Sequence, residues 1–178
     1  MKGKIYKFLA AISIRESKKR KWMLKFNVKN GMIIGENTHV FTSNLGDPFL
    51  VEIGSYSTIS TMVNFVTHDA SVGVVGNNTR KNYTDLAGKI FIGNHCFIGT
   101  GATIMYGVSI SDGVLVAAGS VVTHSVKEEN VIVAGNPAKI IGNTADFVSK
   151  KQGFLLDLTG LNFDQRKSKI LNSRLVKK

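Results

Sequence analysis

The chain has 178 residues, of which 43% are apolar and 20% are charged, a balance that is typical of a folded soluble protein and excludes a disordered one. Its length fits one domain. The single cysteine, Cys96, excludes an internal disulfide and favours a reducing compartment, so we expect a cytoplasmic protein. The formal net charge of +11 raises the question of an anionic partner such as nucleic acid.

Residues 1–30 form a basic N-terminal segment that we expect to be helical. They carry ten Lys or Arg and one Glu, whereas the middle of the chain is slightly acidic. The apolar stretch Phe8 to Ile14 is too short to span a bilayer. The segment is either an amphipathic helix on an anionic membrane surface or a solvated flanking helix. No base-reading motif or series of stacking aromatic residues accompanies it, so we expect no nucleic acid partner.

Residues 31–142 contain an internal repeat of six residues. An aliphatic residue opens each hexad, a small or β-branched residue follows four places later, and Gly, Asn, Asp and other polar residues lie between them. A period of six fits neither a helix nor one long strand, and it predicts short strands joined by corners into a three-walled, parallel β-solenoid with eighteen residues per coil. The aliphatic series is Ile92, Ile98, Ile104, Ile110, Val116 and Val122, the small series is Cys96, Ala102, Val108, Val114, Ser120 and Val126, and the frame recurs at Ile34, Val40, Ile53, Ile59 and Phe65 and continues toward Ala134, Ala138 and Ile140.

The repeat fails after His68. The frame places His68 at the fourth position of its hexad, at an outward corner, and residues 70–89 then form an extruded loop without a sixfold pattern. Long irregular segments inside compact domains are usually functional. His68 therefore lies where an active-site residue is expected. Beyond the repeat, residues 143–178 form a tail whose helical patterns predict a cap on the last coil.

The hexads IGNHCF, IGTGAT and VAAGSV and the closing stretch VAGNPAKIIG, from Val133 to Gly142, resemble the hexapeptide-repeat acyltransferases. This resemblance covers residues 31–142 and implies an all-β, left-handed parallel β-helix. The block from SYSTIS to FVTHDAS is similar to the xenobiotic and polysaccharide O-acetyltransferases, which transfer acetyl from acetyl-CoA to a hydroxyl of a sugar or antibiotic. In these enzymes the catalytic histidine occupies the position of His68.

The predicted chemistry is direct acetyl transfer with His68 as the general base. A neutral imidazole takes the proton of a hydroxyl as that hydroxyl attacks a thioester. Asp69 is a candidate for orienting the ring, although adjacent residues in an extended chain point to opposite sides. Tyr83 and Asp85 in the loop are candidates for the lining of the acceptor pocket.

The resemblance also implies a donor site in a groove between subunits, and hence a homotrimer. The matching positions for CoA are Thr100, Ala118, Thr123 and Lys139, with Lys139 placed to pair with a phosphate. His124 stands where relatives usually have Lys. The acceptor is expected to be a saccharide, a saccharide precursor or a related small molecule.

Other functions remain open from the sequence. The main competitors are an N-acetyltransferase of an amino sugar and a serine O-acetyltransferase, which would use the same base and donor. A β-helix carbonic anhydrase needs three histidines on one zinc ion, and the four histidines here form no close pair, so no metal is expected. A non-catalytic β-helix scaffold is the remote alternative. Cys96 occupies a small inward position, which favours packing over nucleophilic catalysis.

Overall fold

The computed structural model describes residues 16–79 and 85–173, together with Ile5 alone. It contains short strands between helical ends. The helices are α1 (Glu16–Lys29), α2 (Ser71–Thr79), α3 (Thr144–Lys150) and α4 (Phe163–Leu171), with 3₁₀ helices at Pro48–Leu50 and Gln152–Phe154. The strands are β1 (Ile33–Ile34), β2 (His39–Val40), β3 (Val51–Ile53), β4 (Thr58–Ile59), β5 (Asn64–Val66), β6 (His68–Asp69), β7 (Leu86–Ala87), β8 (Ile90–Ile92), β9 (Phe97–Ile98), β10 (Thr103–Met105), β11 (Ser109–Ile110), β12 (Leu115–Val116), β13 (Val121–Val122), β14 (Val131–Gly135) and β15 (Ala138–Asn143).

Three stacks of strands form the walls of a prism. Wall A has the order β1-β3-β8-β11, wall B has β15-β14-β12-β9-β4-β2, and wall C has β13-β10-β5. All neighbours are parallel except β14 and β15. Phe91 pairs with Ser109, and Phe97 pairs with Leu115, so each regular coil takes the predicted eighteen residues.

The core of the prism is made of the two predicted series. Every residue of both series from Ile92 to Val126 is buried, and so are Ile53, Ile59 and Phe65 of the earlier coils. Coil stacking pairs the backbone of each strand with the strands above and below it. Burial of the aliphatic ridge supplies the main stabilisation.

The predicted continuation of the frame toward Ala134, Ala138 and Ile140 is wrong. The side chain of Ile140 is 51% exposed, and the buried residues are instead Val131 and Val133. The reason is that β15 turns back and pairs antiparallel with β14, which ends the coil. A strand that turns back at the edge of a wall no longer follows the inward positions of a hexad.

Strand β6, helix α2 and strand β7, which together we call the arm, leave the prism between two coils. Strands β6 and β7 pair antiparallel at its base, where His68 faces Ala87 and Asp69 faces Leu86. The predicted loop 70–89 is therefore closed at its root, and it contains α2 where an irregular chain was expected. The carboxylate of Asp69 accepts a hydrogen bond from the backbone N–H of Ser71 at 2.7 Å, which satisfies a free donor at the start of α2.

Helical segments lie at both ends of the prism. In the N-terminal segment, α1 accounts for residues 16–29, and Leu24 packs against the core of the first coil. Residues 1–15 of that segment, apart from Ile5, lie outside the described residues. In the tail, α3 contacts β15, whereas the side chains of α4 are largely exposed. Within the described ranges, no helix combines the length and apolar composition that a membrane crossing needs.

Candidate active site

His68 lies at the root of the arm, directly after wall C. Its side chain is 56% exposed, while Thr67 beside it is 1% exposed and Phe65 is buried. The imidazole thus points outward at a corner of the prism, as the hexad frame predicted. Its backbone position is fixed because β6 pairs with β7 and Thr67 accepts a hydrogen bond from the N–H of Gly88 at 3.0 Å.

The ring of His68 is held by Asp47 from the preceding coil. Nδ1 of His68 lies 2.8 Å from Oδ2 of Asp47. A carboxylate only accepts hydrogen bonds, so in the neutral ring Nδ1 carries the proton and Nε2 keeps its lone pair. This is the tautomer that a general base acting through Nε2 requires.

Asp47 is itself fixed by Thr67. The hydroxyl of Thr67 donates to Oδ2 of Asp47 at 3.2 Å, and its oxygen accepts from the backbone N–H of Asp47 at 2.8 Å. These two bonds anchor the carboxylate to the coil that carries His68. A buried threonine beside an exposed histidine therefore forms the floor of the site.

Gly46 allows the turn before Asp47 to approach so closely. Its φ of +59° lies in the left-handed region, and a Cβ there would be 2.5 Å from Oγ1 of Thr67 and 2.8 Å from the carbonyl oxygen of Phe65. Any larger residue would push the turn away from the next coil. Gly46 and Asp47 lie outside the sixfold pattern, and the GD pair just before Pro48 is the signal in the sequence for this turn.

The structure corrects the orienting role predicted for Asp69. Asp69 directs its carboxylate to Ser71 and not to the imidazole, because successive residues of β6 point to opposite sides. The hydrogen bonds from the backbone and side chain of Ser71 lower the pKa of Asp69 below its usual value. The orienting carboxylate is that of Asp47.

Two of the predicted donor residues lie together at the other edge of wall C. Thr100 and Ala118 are both exposed and belong to the same corner of successive coils, where the N–H of Gly119 donates to the carbonyl of Thr100 at 2.9 Å. Gly101 and Gly119 adopt φ values of +71° and +70°, and nothing lies within 4 Å of the Cβ that either would carry. This corner is thus an open column of nearly bare backbone.

The other two donor candidates lie elsewhere. Thr123 follows β13, so the register of wall C places it in the row of Met105 and Val66, on the edge from which His68 emerges. Its hydroxyl is 2.8 Å from Nδ1 of His124. Lys139 is exposed on β15, where it pairs with Ala134 at the last coil.

The acceptor candidates are only partly described. Tyr83 lies outside the described residues. Asp85 is exposed and precedes β7, one residue before the Leu86 that pairs with Asp69. Asp85 therefore lies near the base of the arm, just before the returning strand β7.

Cys96 has the packing position that its hexad predicted. It is buried, and its thiol donates to the carbonyl of Ser111 at 3.2 Å. Burial raises the pKa of this thiol, which suppresses the reactive thiolate. Among residues 16–79 and 85–173, no three His, Cys, Asp or Glu side chains are grouped so that they could hold a metal ion.

Comparison with known proteins identifies the architecture. The family model described as the hexapeptide repeat of succinyl-transferase matches residues 89–124. Protein CapG of Staphylococcus aureus is 40% identical over 128 residues, which are 71% of this chain and 72% of the relative.

Solved structures have the same fold at lower identity. A maltose O-acetyltransferase from Clostridium difficile 630 superposes with a TM-score of 0.61 at 22% identity, covering 80% of this chain and 84% of the other. A hexapeptide-repeat acetyltransferase from Vibrio cholerae, solved with acetyl coenzyme A, gives a TM-score of 0.60 at 20% identity, with coverage of 80% and 85%. These likenesses support the left-handed coil that the sequence resemblance implied.

A three-walled parallel β-helix with a six-residue repeat defines the hexapeptide-repeat class of folds. With the extended identity to CapG and the matching repeat model, the chain belongs to the hexapeptide-repeat acyltransferase family. This confirms the predicted family and, with it, the acyltransferase class.

Proposed function

We propose that the chain is an acetyl-CoA-dependent O-acetyltransferase that transfers the acetyl group directly to a hydroxyl of a saccharide or a related small molecule. The observation that carries this proposal is the 2.8 Å contact between His68 and Asp47 at an exposed corner. It leaves Nε2 as a lone-pair base that faces solvent beside the arm. Acetyl-CoA acts as a substrate here, and no resident cofactor is part of the proposal.

His68 has one task at each stage of the reaction. Nε2 removes the proton of the acceptor hydroxyl while its oxygen attacks the thioester carbonyl, forming a tetrahedral intermediate. The intermediate then collapses, the carbon–sulfur bond breaks, and Nε2–H returns the proton to the sulfur to give the CoA thiol. The carboxylate of Asp47 stabilises the imidazolium that exists between these two transfers. Backbone N–H groups at the corners are suited to stabilise the oxyanion.

The donor site that we propose follows the open corner of Thr100 and Ala118. Small side chains and the free space at Gly101 and Gly119 allow an extended amide-containing arm, such as pantetheine, to approach the backbone. Thr123 lies on the edge of His68, and Lys139 at the last coil is suited to a phosphate. The acetyl-CoA complex of the Vibrio cholerae relative is in keeping with this choice of donor.

The homotrimer belongs to the same proposal. An apolar groove of about 470 Å³ lies on the outside of wall B and is lined by Phe97, Leu115, Ile132 and Phe147. A neighbouring subunit would cover such apolar surface and would complete the donor groove. Size-exclusion chromatography with light scattering tests this part independently of activity.

The acceptor is proposed to be a sugar hydroxyl, in keeping with the maltose O-acetyltransferase among the structural neighbours. A screen of sugars, nucleotide sugars, amino sugars, serine and antibiotics, monitored by release of free CoA thiol, tests it. An exclusive preference for amines would favour an N-acetyltransferase instead. Chelation of metals is expected to leave the rate unchanged, and loss of activity would favour a metal-dependent reaction.

The general base is tested by His68→Ala. We expect a loss of roughly 100-fold or more in kcat, because a positioned base contributes about that much. His39→Ala is the matched control, since His39 is also exposed but lies on wall B. A folded His68→Ala variant with the activity of the wild type would remove His68 from the mechanism.

A further inference from the structure

Helix α1 presents a row of lysines on one face. The row consists of Lys18, Lys21, Lys25 and Lys29. Their spacings of three and four residues bring them onto the same side of the helix. All four side chains are exposed. We call them the lysine row.

Helix α1 packs on the prism through Asn27, which lies opposite the lysine row, and through Leu24, which lies at the edge of the row. Asn27 is 4% exposed, and its carbonyl accepts a hydrogen bond from the N–H of Met32 at 3.1 Å, while Leu24 packs against the core. This packing fixes the rotation of the helix. The lysine row is therefore held outward.

The lysine row is not neutralised within the described part of the chain. There, no carboxylate oxygen lies within 4.0 Å of any of the four ammonium groups. Like charges three and four residues apart destabilise a helix. An anionic surface that meets the row removes this repulsion, so the arrangement is complementary to an external partner of negative charge.

Apolar side chains on the same face indicate what kind of partner this is. Val28 is 48% exposed, and a groove of about 470 Å³ runs between it, Leu24 and three lysines of the row. Trp22 lies beside the row, with Nζ of Lys25 4.9 Å from the centre of its ring. An indole capped by an ammonium group is poorly placed to stack on a nucleobase. A lipid surface, by contrast, accepts basic groups at its headgroups and apolar ones just below them.

We propose that the face of α1 formed by the lysine row, Trp22 and Val28 docks on a membrane surface that contains anionic lipids. The contact is peripheral and mainly electrostatic. The 3₁₀ helix Pro48–Leu50 contacts α1 and directly follows Asp47, so docking holds the His68 corner close to the lipid surface. The proposal does not rest on the acetyltransferase reaction and is tested without it.

The chain carries its own reporter for this contact, because Trp22 is the single tryptophan. The full chain is titrated with vesicles of phosphatidylcholine containing 30% phosphatidylglycerol and, separately, with pure phosphatidylcholine vesicles. We expect cosedimentation and a blue shift of the Trp22 emission with the anionic vesicles only, and loss of both in high salt. Binding without any change in Trp22 emission would place the contact elsewhere and overturn the proposal.

Charge reversal locates the surface. Lys21→Glu combined with Lys25→Glu is expected to weaken partitioning at least about 25-fold, since each lysine near an anionic surface contributes roughly fivefold. The matched control is Lys127→Glu with Lys167→Glu, which makes the same charge change at exposed sites outside α1. Circular dichroism verifies that both variants fold. Equal losses in the two variants, or tighter binding to nucleic acid than to the anionic vesicles, would contradict a lipid-binding face on α1.

Discussion

The substitution Asp47→Ala tests the orientation of the His68 ring without removing the ring itself. The substitution removes the only carboxylate that we find on Nδ1 in the described part of the chain, and it leaves the imidazole at its corner. The ring then rotates freely and samples the tautomer in which Nε2 carries the proton. Only a fraction of the enzyme holds a competent base at any moment.

The size of the effect follows from the exposure of the pair. The side chains of His68 and Asp47 are 56% and 38% exposed, so solvent screens their attraction. A hydrogen bond to a charged group contributes about 1.5–3 kcal/mol. We take the lower part of this range because of the screening, and we expect kcat to fall about tenfold to fiftyfold. This loss is smaller than that expected for His68→Ala.

The assay is the release of CoA thiol at saturating acetyl-CoA with the best acceptor from the screen, or slow hydrolysis of acetyl-CoA where none is found. Asp69→Asn is the matched control, because it removes a neighbouring negative charge, and its amide oxygen still accepts from the N–H of Ser71. It should keep nearly full activity. If folded Asp47→Ala stays within twofold of the wild type, or if Asp69→Asn loses as much as Asp47→Ala does, then the dyad is not what positions the base.

Three further predictions concern the scaffold. Ile98→Ala removes a side chain that is 0% exposed, and it should lower the free energy of unfolding by about 2–5 kcal/mol in a urea titration, whereas an unchanged midpoint would contradict a close-packed prism. Cys96 should resist alkylation by iodoacetamide at pH 8 in the folded chain and react after unfolding, because burial raises the pKa of its thiol. The variant Cys96→Ala should stay active, and a folded but inactive variant would indicate covalent catalysis. Hydrogen bonds from Asn94 lower the pKa of Asp112 below its usual value, so their stabilisation is fully present at neutral pH and is lost as the pH falls through the lowered pKa. The Tm difference between wild type and Asp112→Asn should therefore shrink from pH 6 to pH 2, and a constant difference would refute this linkage.

The prism was predictable because its physics is periodic. In the regular coils from β8 to β13, each strand is two or three residues long and the inward position returns every six residues. This is why Ile92 through Val122 were placed correctly from the sequence. The prediction failed at Ile140 because β15 pairs antiparallel with β14, and the sixfold pattern of the sequence does not show this tertiary contact.

Helix α2 shows a different limit. Its sequence, SVGVVGNNT, is rich in Gly and Asn, which favour turns and give no amphipathic period. The helix begins where Asp69 caps Ser71, and it is bounded by the pairing of β6 with β7. The cap by Asp69 and the pairing of β6 with β7 outweigh the weak helix propensity of this sequence.

The partner of His68 was missed because the first coils are longer than the repeat. In a strict coil of eighteen residues, the residue below His68 is Leu50. Strands β2 and β4 pair at a spacing of nineteen residues, and Asn44 bridges to Asn64 at a spacing of twenty. The added residues form the turn that contains Gly46, and they move Asp47 beneath the histidine. The same lengthened turn breaks the sixfold pattern and brings the carboxylate of Asp47 to Nδ1 of His68. The length of this turn is therefore as much a part of the site as the identity of Asp47.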